Sequence, residues 1–93
     1  MKSDQTKQFQ SMANEILDKF NCPKYDYQLI VSIVEKPDNQ QQFCLFFNNK
    51  KRNSGISFNT TEQLECLIVF ENVLSKTFSY KLVSQISQNF LYT

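Results

Sequence analysis

Two apolar stretches that alternate with period two, separated by a proline-led turn, constrain this chain more than any other feature. Tyr25, Tyr27, Leu29, Val31 and Ile33 occupy odd positions, and so do Phe43, Leu45 and Phe47. Side chains on a strand alternate between faces, so two paired strands must bring their heavy sets to one side. Antiparallel pairing of Leu29 with Phe47, Val31 with Leu45 and Ile33 with Phe43 does this. Pro37-Asp38-Asn39 supplies turn chemistry between them. The register then requires a hairpin loop of odd length, three or five residues, instead of the two-residue tight turn.

Helical periodicity flanks the hairpin. Phe9, Met12, Ala13, Ile16, Leu17 and Phe20 share one helical face, which predicts a helix from about residue 4 to 20. Ser3 or Asp4 is placed to cap it, and Asn21 with Pro23 to end it. Lys7, Gln10, Asn14, Asp18 and Lys19 cover its polar side. A short third strand, Gly55 to Asn59, presents Ile56 and Phe58 on one face. Asn59 with Glu62, or Thr60 with Gln63, reads as a capping box for a second helix over about 61–75. That helix carries so many apolar residues, from Leu64 to Leu74, that burial on more than one side is expected. After a break at 75–79, Phe78, Leu82, Val83, Ile86 and Phe90 keep helical spacing. Ninety-three residues make one domain. The expected fold is α+β, in the order α-β-β-β-α(-α), with helices packed on a three-stranded antiparallel sheet.

Composition excludes several chemistries. The chain has no His, no Trp and one Gly, which removes His-based catalysis, His-ligated metal and Gly-rich phosphate loops. Its three cysteines, Cys22, Cys44 and Cys66, have no His to make a thiolate and no C-x-x-C pairing to hold zinc. Cys22, before Pro23, reads as the exposed one. Glu62, Glu65 and Glu71 read as helix-surface acids, without a partner element to form a carboxylate pair. No acid, base and nucleophile set can be assembled, so the expectation is a non-enzyme without cofactor, metal or small-molecule substrate. No run of 18 apolar residues exists, and the polar start, with Asp4 among its first residues, lacks the form of a signal or transit peptide. An odd cysteine count in that setting points to reduced thiols in the cytoplasm.

Two surfaces remain as candidate binding sites. The even-numbered strand residues include Ile30, Val34 and Phe46, with Ser32 and Cys44, where a water-facing sheet would be uniformly polar. Either the last helical segment covers this face or a partner does. Together with the second helix it is the expected docking surface, with Ile30, Val34 and Phe46 as apolar anchors. The second candidate is Lys50-Lys51-Arg52, a cationic loop able to contact phosphates, in a chain of net charge only +1.

In layout, the α-β-β-β-α order resembles the double-stranded-RNA-binding domain, although the helix after the third strand opens Thr60-Thr61-Glu62-Gln63-Leu64-Glu65, acidic where that family carries lysines. The stretch from Tyr27 to Leu74 is similar in element lengths to the small Alu-domain subunits of the signal recognition particle. That resemblance implies RNA binding, with Lys50, Lys51 and Arg52 as the contact. In size and lack of a catalytic set the chain also resembles phage inhibitors of host defence nucleases, here by steric block because it is not an acidic DNA mimic. The leading expectation is a protein-docking module, as subunit, inhibitor or self-pairing unit; the alternative is a small RNA-binding subunit.

Overall fold

In the computed structural model, which describes residues 2–81, the hairpin forms in the register that the alternation dictates. Strand β1 (Tyr27–Lys36) runs antiparallel to β2 (Gln40–Asn49), with Leu29 opposite Phe47, Val31 opposite Leu45 and Ile33 opposite Phe43. The loop is three residues, Pro37–Asn39. Asp38 and Asn39 take φ of 73° and 61°, the left-handed region that their short polar side chains tolerate best. Strand β3 (Ser54–Thr60) pairs with β2, giving the order β1-β2-β3. The Lys50–Asn53 turn is held by the Asn49 side chain, whose Oδ1 accepts from the Lys51 and Arg52 N–H groups at 3.0 and 3.2 Å.

Two helices lie on the odd-numbered face. Helix α1 (Lys2–Leu17) packs on β1, and α2 (Gln63–Thr77) packs on β2 and β3 as well as on α1. Phe9, Ala13, Leu17 and Phe20 meet Val31, Ile33, Phe43, Leu45 and Phe47 from one side; Cys66, Leu67, Phe70 and Leu74 complete the core. Aromatic edges lock the layers, with Phe9 5.6 Å from Phe43 and Phe47 5.5 Å from Phe70.

The boundaries depart from the periodicity in identifiable ways. Helix α1 starts at Lys2, so Ser3 and Asp4 sit within its first turn and do not cap it. It stops at Leu17 because the next turn tightens: the Lys19 and Phe20 N–H groups bond three residues back, to Ile16 and Leu17. Phe20 then leaves the helix and bridges to Tyr80. Tyr25 is not a strand residue; it lies exposed in a single 3-10 turn, Lys24–Asp26. Neither expected capping box forms. Asn59 and Thr60 belong to β3, and Glu62 holds the N-cap position without a side-chain hydrogen bond. Thr60 instead donates its hydroxyl to the Glu62 carbonyl. Helix α2 continues through the expected break to Thr77, where Phe78 turns extended. The final helical pattern, Leu82, Val83, Ile86 and Phe90, lies outside the described residues.

Candidate functional site: the open face of the sheet

Because both helices take the odd face, the even residues of all three strands point away from them. Across the middle of this face runs one row, Ile30 on β1, Phe46 on β2 and Ser57 on β3, set side by side by the register. The next row is Ser32, Cys44 and Asn59, and beyond it Val34 lies opposite Gln42. Ile30 and Val34 are each 45% exposed and Phe46 38%. The two rows enclose a shallow depression floored by the strands. All three expected anchors therefore share one face. Ile30 and Phe46 touch rungs of the same ladder, whereas Val34 stands apart toward the hairpin loop.

The second helix does not extend this surface. Its exposed apolar residues, Leu64 at 67% and Ile68 at 52%, belong to the layer on the opposite side of the sheet. They border a groove between the helices with Met12 and Ile16, rimmed by Glu15, Lys19 and Glu71. The expected single surface made of the even face and α2 is thus two surfaces, back to back. The expected burial of α2 on more than one side does occur, its inner side packing on the sheet and one flank on α1, while Leu64 and Ile68 face outward.

The basic loop sits at the end of the sheet away from the hairpin turn. Lys51 pairs with Asp26 at 3.2 Å, and the Lys50 N–H donates to the Asp26 carbonyl at 2.8 Å. Lys50 and Arg52 have no carboxylate partner among the described residues. Lys36 lies at the far end of the hairpin, and Lys24 pairs with Asp18. Arg52 also borders a groove formed by Tyr27, Phe47, Ile56, Leu74 and Phe78.

Two of the three thiols, Cys22 and Cys66, are held toward the neutral form. Burial pushes the Cys66 thiol up to about 11. Cys22, expected to be the exposed cysteine, is half-buried, and burial followed by the nearby Asp26 carboxylate raises its pKa. Among the described residues no cluster of Cys, Asp or Glu is arranged to hold a metal, and no helix is long and apolar enough to cross a membrane.

One residue of consequence escaped the sequence reading. Gln10, expected on the polar side of α1, turns its amide to the outer edge of β1: Nε2 donates to the Leu29 carbonyl at 3.4 Å, and Oε1 accepts from the Val31 N–H at 3.3 Å. A side-chain amide carries the same donor and acceptor as a peptide, so Gln10 occupies the place of a neighbouring strand. Helical periodicity carries no signal for this, because a glutamine on a polar stripe looks solvated. No family model, curated protein or solved structure matches this chain.

Proposed function

We propose that this protein is a non-catalytic docking module that seats the open face of its sheet on a larger protein inside the cell. The observation that carries this reading is the placement of Ile30 and Phe46 side by side on an exposed, otherwise small and polar face. Val34 adds a second apolar point on the same plane. An aromatic ring beside a branched aliphatic, bordered by Ser32, Ser57 and Asn59, has the form of an apolar anchor inside a polar rim. Such a module serves as a small subunit, or as a mobile-element inhibitor that blocks a host defence nuclease sterically.

The test is the double substitution Phe46→Asp with Val34→Asp. Both side chains already meet water, so the fold should survive, as judged by circular dichroism and thermal melting. Affinity capture of the tagged chain from its native lysate, with and without nuclease, should then lose a nuclease-resistant protein partner that the unaltered chain retains. A folded double variant that keeps every partner overturns the assignment.

A second reading, contact with RNA through Lys50, Lys51 and Arg52, draws support from the exposed Lys50 and Arg52 side chains, which have no carboxylate partner among the described residues. It predicts partners that disappear on nuclease treatment and an affinity that falls steeply with salt.

A further inference from the structure

The two edges of the sheet are treated differently, and the difference points to a site that is not the open face. Along β1 the Gln10 amide takes up the Leu29 carbonyl and the Val31 N–H, two of the outward groups near the middle of that edge. Those two contacts also set the phase of the whole ladder. In an antiparallel sheet a residue directs its N–H and C=O to the same side, and the next residue directs them to the other. Leu29 and Val31 point outward, so Ile30 and the other even residues of β1 bond to β2. Phe43, Leu45 and Phe47 must then bond to Thr60, Phe58 and Ile56 of β3. This leaves Gly55, Ser57 and Asn59 with both backbone groups directed off the free edge of β3, and no group among the described residues meets them.

Among the described residues that edge lacks the usual protection. Ser54–Thr60 contains no charged residue, no proline and no inward-turned charge, the devices that keep free edges apart. Its outward-bonding residues are exposed and small. Gly55 is small by necessity, because a Cβ there would stand 2.7 Å from the Phe47 carbonyl oxygen. On the inner side Ile56 and Phe58 are only half-buried at this margin of the core.

We infer that the β3 edge pairs with the β3 edge of a second copy of this chain, antiparallel and centred on Ser57. The strand is self-complementary about that residue: Gly55 meets the second copy's Asn59, Ser57 meets its equivalent, and Asn59 meets Gly55. Each of the three pairs exchanges two N–H···O bonds, so this register uses every outward group. No like charges are opposed. The product is a six-stranded sheet in which the Ile30–Phe46–Ser57 row continues directly into its symmetry mate, joining two open-face patches into one surface. The inference does not depend on what docks there. Strand-edge contact alone is smaller than a standard stable interface, so the pairing is reversible and dependent on concentration.

The experiment is sedimentation equilibrium of the full chain from micromolar to millimolar concentration, with backbone amide exchange at both ends of the range. The expected result is a monomer–dimer equilibrium in which the Gly55, Ser57 and Asn59 amides gain protection only at high concentration. Ser57→Pro removes a central donor without touching the β2 ladder, and Ser57→Lys opposes two like charges across the axis. Each should move the midpoint about tenfold or more to higher concentration, while Val34→Asp leaves it in place. Ser57→Lys keeps the backbone N–H, so it serves if the proline disturbs the fold. A chain that stays monomeric at millimolar concentration overturns the inference. So does a dimer that leaves those amides unprotected, or one that responds to Val34→Asp and not to a folded Ser57 variant.

Discussion

Cys66 shows how a single buried group ties this fold to pH. Its thiol is held neutral by burial, with a pKa of about 11 against an ordinary value of 9.0. A group whose folded pKa lies above its unfolded value contributes stability that is complete below the unfolded value. The unfolded chain gains by ionising first, so stability should fall as pH rises from about 9 to about 11 and then level off. Denaturant titrations across that window should show the decline, and Cys66→Ala should make it shallower, leaving the share of Cys22, while lowering stability at neutral pH through the lost packing. Tyr80 also titrates late, because its hydroxyl donates to Glu71 and the bond favours the neutral phenol. The difference between the parent and the Cys66 variant, not the raw slope, is therefore the measurement.

At the scale of the element, α2 shows what composition leaves open: which of its apolar residues face the core. Leu64, Leu67, Ile68 and Leu74 look equivalent in the sequence, yet Leu67 and Leu74 are buried while Leu64 and Ile68 face outward. Leu67→Ala should cost about 2–5 kcal/mol, since it opens a cavity in the shared core. Leu64→Ser should stay within about 0.5 kcal/mol. Equal losses at the two positions in urea unfolding would show that the outer side of α2 is covered. The strands behaved differently. Their period of two matches the pleat without remainder, so Leu29 to Ile33 and Phe43 to Phe47 announced both register and loop parity. A helix of 3.6 residues per turn allows a broad apolar arc to face either a core or a groove, and only packing selects.

For the whole molecule the consequence of interest is the pair of sheet edges. If β3 joins β3, each dimer still ends in two β1 edges, and Gln10 blocks the middle of each by holding the Leu29 carbonyl and the Val31 N–H. Gln10→Ala should expose the Leu29 carbonyl and the Val31 N–H, so that folded protein assembles beyond the dimer. Sedimentation should show larger species at concentrations where the parent stops at two copies, together with a stability loss of about 1 kcal/mol from the vanished bonds. A strictly dimeric Gln10→Ala variant would mean that the bulk of α1, not the amide, shields that edge.

By itself the sequence determined the α-β-β-β-α order, the hairpin register and the placing of Ile30, Val34 and Phe46 on one face, because these follow from periodicities confined to a few residues. It also marked His-dependent chemistry as absent, which composition alone decides. Only the tertiary structure separated the even face from α2, since the sheet lies between them and no local pattern encodes which side of a sheet a helix takes. The role of Gln10 arose the same way. It depends on how α1 crosses β1, a contact between residues about twenty positions apart that side-chain packing, and not local preference, brings together.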